Sequence, residues 1–178
     1  MSDYGTVLES GAVRFERMLP GPIERVWEHL VLSEQRATWL AAGEMDLRPG
    51  GAVTLEFRNS ELTTEPAPEK YRQYDGLFIN RGRVLQVEAP RLLTITWDEP
   101  ANGGSASEVT FELSPVGSEV KLVLTHRKLA NHDAMVSVAS GWHTHLGILA
   151  ANLCGSEPWL FWSTCDRLAN EYAQRIAE

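Results

Sequence analysis

Val53, Leu55 and Phe57 alternate with Thr54, Glu56 and Arg58, and Val109, Phe111 and Leu113 alternate with Glu108, Thr110 and Glu112. A period of two sends successive side chains to opposite faces, so the chain from about Glu44 to about Arg127 reads as antiparallel strands with one buried face. Gly50-Gly51, Asn102-Gly103-Gly104 and Pro115-Val116-Gly117 supply turn chemistry between these runs, at spacings that suit hairpins and leave no room for parallel crossovers. An earlier strand runs around Val7 to Leu19, interrupted near Gly11. Ser60 to Asp75 carries Pro66, Pro68 and several charges with neither period. It reads as a longer surface loop that could cover a cavity mouth.

Helical spacing appears in two regions of the chain, with two helices in each. After Pro20-Gly21-Pro22, the residues Ile23, Val26, Trp27 and Leu30 give a first short helix, with Pro22 in its first turn. A second runs from Ser33, read as its cap, to Leu40, with Trp39 as the main anchor and Gly43 permitting reversal. The last fifty or so residues return to helix. At 100° per residue with Trp142 at zero, Leu146 falls at about 40°, Leu149 at about −20°, Leu153 at about 20°, Val138 at about −40° and Met135 at about 20°. That stripe predicts a helix over Asp133 to Leu153, roughly 30 Å long, enough to cross a sheet. Gly155 and Pro158 end it, and Trp159 to Ile176 forms a further amphipathic helix showing Phe161, Cys165, Leu168 and Tyr172 on one face.

Among 178 residues, 24 acidic side chains outnumber 16 basic ones for a formal charge of −8, a field that repels phosphate backbones and anionic lipid. Nucleic acid and membrane surfaces are therefore poor partners. The N-terminus lacks the basic-then-apolar pattern of a secretory signal, which places the protein in the cytoplasm. Cys154 and Cys165 form no two-residue-spaced pair and read as buried thiols. The composition suits one domain over residues 7–178, with a flexible stretch at 1–6 and a C-terminal helical extension at 156–178.

The segments VWEHLVLSEQRATWL, DLRPGGAVTLEF, GRVLQVEAPRLLTITWDEP, SEVTFELSPVGSEVKLVLTHRKL and GWHTHLGILAANL resemble those of the SRPBCC superfamily. The branch they resemble is the one similar to the C-terminal domain of the activator of heat-shock protein 90 ATPase. The resemblance runs from about residue 10 to about residue 155, with Trp39, Gly50-Gly51, Pro90, Trp97, Phe111, His126 and Gly141-Trp142 at recurring positions. It implies an α+β helix-grip fold, in which a curved antiparallel sheet wraps around the long helix, as in the birch-pollen allergen and START-related lipid-transfer domains. A pocket between sheet and long helix follows from the same resemblance, as does an association with the stress response. Trp39, Phe57, Trp97, Phe111, His126, Trp142, His145, Leu146 and Leu149 are assigned to that pocket, although packing in the core is the default role of such side chains.

His143 and His145 subtend 200° and cannot chelate one metal. His145, at about −60°, borders the buried stripe, whereas His143, at about 100°, is expected to be solvated. His126 shares the face of Leu124 at a strand end. The motifs of nucleophile elbows, zinc proteases, phosphate loops and dinucleotide sites do not occur, so no catalytic residue, metal or cofactor is assigned. Three readings remain open. The first is non-catalytic binding of a small hydrophobic or amphipathic molecule, aromatic or acyl in character. The second is a co-chaperone-like module meeting a large chaperone. The third is a cofactor-free enzyme of the cyclase or dehydratase kind, moving a proton through one His, Glu or Asp. A homodimer is compatible with each.

Overall fold

A computed structural model describes residues 3–9, 11–102 and 104–176. Gly103 of the expected Asn102-Gly103-Gly104 turn lies outside the described residues. The strands are β1 (Thr6–Glu9), β2 (Ala12–Pro20), β3 (Ala52–Phe57), β4 (Phe78–Glu88), β5 (Leu92–Trp97), β6 (Ser107–Val116) and β7 (Glu119–Arg127). They pair antiparallel throughout in the order β1-β2-β7-β6-β5-β4-β3, so β7, last in sequence, closes back on β2. The result is the curved sheet of a helix-grip fold. Its inner face carries the alternating residues of the sequence pattern: Phe15, Val53, Leu55, Leu93, Ile95, Val109, Phe111, Leu122 and Leu124 are all buried.

Two short helices, α1 (Ile23–Val31) and α2 (Ser33–Ala37), follow β2. Ser33 does not cap α2: Leu32 stands at that position, and the Ser33 hydroxyl accepts the Gly43 N–H at 2.9 Å. The reason lies one turn on. Arg36 is almost wholly buried and donates to the carbonyls of Ala41 (3.1 Å), Leu30 (3.2 Å), Val31 (3.1 Å) and Gly43, so α2 and the chain leaving it are folded around a guanidinium. Burial lowers its pKa to about 10, partly offset by Glu44, and it stays charged. Trp39 is fully buried, with its indole N–H on the His29 carbonyl at 2.8 Å.

The long helix α3 runs His132–Cys154. Asn131 caps it by accepting the Ala134 N–H at 2.9 Å, and Gly155 ends it with φ of 69°. Trp142, Leu146, Leu149 and Leu153 are buried, as the apolar stripe requires. A final helix, α4 (Phe161–Arg175), packs along α3 through Phe161, Trp162, Leu168 and Tyr172. Cys154, at about 120° from Trp142 and so off the stripe, is exposed, and Cys165 is only half-buried. The expectation of two buried thiols is corrected accordingly. Pro115 and Val116 belong to β6, and the turn falls at Gly117-Ser118. No helix among the described residues is long and apolar enough to cross a membrane.

Candidate functional site

The sheet does not close completely on α3. Phe57 at the end of β3, Phe78 and Asn80 on β4, Trp97 at the end of β5, one flank of α3 and the first turns of α4 enclose a cavity of about 490 Å³. On the wheel, the open flank lies around Gly141, at about −100°, and Ser137, at about −140°. Small side chains on that flank leave the room. A Cβ built on Gly141 meets nothing within 4 Å.

The loop from Ser60 to Asp75 forms part of the wall. Its two turns of 3₁₀ helix, Asn59–Leu62 and Glu69–Tyr74, bring Tyr71 and Tyr74 to the cavity. Tyr71 stacks on Trp162 of α4 with ring centroids 5.8 Å apart and planes at 20°. The same segment is tied to α4 by the Lys70–Asp166 ion pair, by the Tyr71 hydroxyl on Asp166 (3.1 Å), and by Glu65 accepting the Ser163 N–H (2.7 Å). Burial raises the Tyr71 phenol pKa, and its bond to Asp166 raises it further, so it stays a donor.

Of the nine residues assigned from sequence, Phe57, Trp97, Trp142 and His145 line the cavity. Trp97 and Trp142 lie 5.0 Å apart, and His145 sits 6.0 Å from Phe57 and 5.1 Å from Phe161, making a continuous aromatic wall. The remaining five stand one layer back. Trp39 and Phe111 border a separate void of about 10 Å³, less than one water occupies. Leu146 and Leu149 are fully enclosed against the sheet. His126, also fully buried, accepts the Trp142 indole N–H at Nδ1 (3.0 Å), so its proton is on Nε2, facing the Ser107 hydroxyl at 2.8 Å. Burial alone pushes its pKa down to about 3.

His145 combines burial with access to the cavity. Its Nδ1 lies 2.7 Å from the Trp39 carbonyl, which can only accept, so Nδ1 carries the proton and Nε2 keeps its lone pair. Burial lowers its pKa to about 4 despite that bond, and the imidazole is neutral at pH 7. On β4, Asn80 is 3% exposed and accepts the Asp98 N–H at Oδ1 (2.9 Å). That bond sets the amide so that Nδ2 remains to donate. Sequence reasoning missed Asn80, Tyr71, Phe161, Trp162 and Cys165 as wall residues. For Phe161 and Cys165 the apolar face read for α4 was the available signal, since a face that packs on α3 must border whatever α3 leaves open.

His143 is buried, contrary to the solvated position expected from the wheel. The face of α3 at about 100° is covered by α4 and by the N-terminal segment. There the Tyr172 hydroxyl accepts the Gly5 N–H at 2.7 Å and lies 2.9 Å from His143 Nδ1. Burial, with Arg17 nearby, lowers the His143 pKa to about 4. Tyr4 adds an edge contact to His143 at 4.9 Å and lies under the Arg175 guanidinium at 3.7 Å. Among the described residues, no group of three or more His, Cys, Asp or Glu is placed to hold a metal ion.

A curved antiparallel sheet gripping a long C-terminal helix with a side cavity defines a helix-grip domain of the SRPBCC kind. Residues 20–153 match the family described as Activator of Hsp90 ATPase homolog 1-like protein, and the chain belongs to that family. The protein encoded by gene BPP1335 from Bordetella parapertussis, solved by solution NMR, is similar at 47% identity and a TM-score of 0.84, over 99% of this chain and 92% of that one. CalU16 from Micromonospora echinospora, a crystal structure, is 22% identical with a TM-score of 0.68, over 94% of this chain and 89% of its own. DynU16, of the dynemicin biosynthetic locus, is 18% identical with a TM-score of 0.65, over 84% of this chain and 49% of its own. The likeness to these last two is one of fold. No curated protein matches.

Proposed function

We propose that the protein is a non-catalytic binder of a small hydrophobic or amphipathic molecule in the cavity between the sheet, α3 and α4. The observation that supports this is the cavity itself: about 490 Å³, walled by Phe57, Trp97, Trp142 and Phe161, with a few inward polar groups. That volume lies within the range of small-molecule sites. In this reading Phe57, Trp97, Trp142 and His145 touch the ligand. Trp39, Phe111, His126, Leu146 and Leu149 form the layer that holds them. We assign it no cofactor, place it in the cytoplasm and connect it with the stress response. The test is mass spectrometry of material released from natively purified protein, with a titration by an uncharged environment-sensitive dye. One ligand per chain and a saturable change in tryptophan emission are expected. No bound molecule and no saturable change would overturn the reading.

A second reading, a cofactor-free cyclase- or dehydratase-like enzyme, draws on the His145 lone pair beside the cavity, which would accept a proton at pH 7. Under it, His145→Gln would abolish turnover of a bound substrate while leaving its affinity nearly intact. The co-chaperone reading draws on the family and on the half-exposed run Leu77, Phe78 and Ile79. It would be met by a saturable calorimetric signal with an Hsp90-type chaperone that Phe78→Ser removes.

A further inference from the structure

We propose that the cavity selects an uncharged, planar ligand bearing a hydroxyl group, anchored by the Nε2 lone pair of His145 and the Nδ2 amide hydrogens of Asn80. This rests on the pocket reading above and refines it by charge and polar pattern. The two anchors come from different elements of the wall, His145 on α3 and Asn80 on β4, and both are more than nine-tenths buried. Each has one polar atom committed to backbone: His145 Nδ1 to the Trp39 carbonyl, Asn80 Oδ1 to the Asp98 N–H. The free atoms are thereby fixed in type, one acceptor and one donor. A hydroxyl answers both, since it donates its hydrogen and offers lone pairs.

Charge argues in the same direction. No Lys or Arg lines the cavity among the described residues, while Asp133 lies at its rim with a fully exposed side chain. A carboxylate inside would meet the His145 lone pair and find no cation to offset its desolvation. An ammonium would face the Asn80 amide hydrogens and find no interior carboxylate to offset its desolvation. Buried polar groups discriminate most strongly against ligands that leave them unpaired. The flat faces of Trp97, Trp142 and Phe161 favour a planar ring system over a flexible chain.

The experiment uses three probes of one skeleton, 2-naphthol, naphthalene and 2-naphthoate, titrated into the full chain at pH 7 and followed by tryptophan emission. The expected order places 2-naphthol at least about fivefold tighter than naphthalene, the ratio of roughly one net hydrogen bond, with 2-naphthoate weaker than either. His145→Phe should remove most of the 2-naphthol advantage over naphthalene while leaving naphthalene within about twofold. Should that variant fail to fold, the ¹⁵N shift of His145 Nε2 in the unmodified protein gives the same information: 2-naphthol should move it and naphthalene should not. Equal binding of 2-naphthol and naphthalene, or 2-naphthoate as the best ligand, overturns the inference and leaves the pocket reading standing. Saturation by none of the three overturns both.

Discussion

The indole N–H of Trp142 donates to Nδ1 of His126 across 3.0 Å, joining the middle of α3 to β7 inside the core. Because the opposite ring nitrogen faces Ser107 on β6, one neutral imidazole links the helix to two strands. Trp142 also lines the cavity, so this bond fixes part of the cavity wall as well as the helix position. Removing the donor leaves a fully buried acceptor without a partner, an arrangement that costs the desolvation of that group. Trp142→Phe should therefore lower stability by about 1–3 kcal/mol, beyond any loss of packing. Chemical denaturation checks the total. A double-mutant cycle with His126→Leu isolates the bond and should return a coupling above about 0.5 kcal/mol.

Leu149 faces the sheet at about −20° from Trp142, is fully enclosed, and does not line the cavity. Truncation there opens a new hole instead of enlarging an existing one. Leu149→Ala should cost about 2–5 kcal/mol, read from the shift in denaturant midpoint at constant slope. A loss well below 1 kcal/mol would show that the site collapses without penalty or that the residue borders open space.

Strand and helix positions were legible because burial on one side leaves a period. Val53, Leu55 and Phe57 announce β3, and the Trp142 stripe announces α3 with its end at Gly155. His145 borders that stripe and lines the cavity, whereas the Ser60–Asp75 segment stood out by carrying neither period, and it brings Tyr71 and Tyr74 to the wall. What a single wheel cannot register is a second covering layer. His143 looked solvated because only the sheet was counted as a partner for α3, yet α4 and the Gly5 segment cover that face and Tyr172 supplies the hydrogen bond. Arg36 escaped notice for a different reason. Its partners are four carbonyls, and carbonyls carry no residue type for a sequence to display. Asn80 likewise owes its role to the Asp98 backbone.

Three buried histidines make stability depend on pH. His126, His143 and His145 titrate near 6.5 in an unfolded chain but at about 3, 4 and 4 when folded, chiefly through burial. Between those values the unfolded chain binds more protons than the native one. The stabilisation is complete above about pH 6.5 and is lost as pH falls toward 4. At pH 5 each histidine accounts for roughly 2 kcal/mol, from about 1.5 pH units at 1.36 kcal/mol per unit. Together the three approach the whole stability of an ordinary domain, about 5–15 kcal/mol. Unfolding free energy measured between pH 7.5 and 5 should therefore fall with a slope nearing three protons at the acid end. In His143→Gln that slope should drop by about one proton. A flat profile over this range would contradict the buried neutral imidazoles.

Gly141 lies on the cavity flank of α3, where an added Cβ meets no atom within 4 Å. A glycine inside a helix costs about 0.5–1 kcal/mol relative to alanine through backbone freedom in the unfolded chain. Gly141→Ala should recover that amount, because the methyl group enters open space, and a raised denaturant midpoint would show it. A larger side chain separates stability from binding. Gly141→Leu keeps the helical advantage and projects its branch into the 490 Å³ space bordered by Trp97, Trp142 and His145, so it should fold at least as stably while weakening an uncharged dye by about tenfold or more. Loss of binding with stability retained marks occupied ligand space. Loss of both marks a strained helix, and unchanged binding places the dye somewhere other than this cavity.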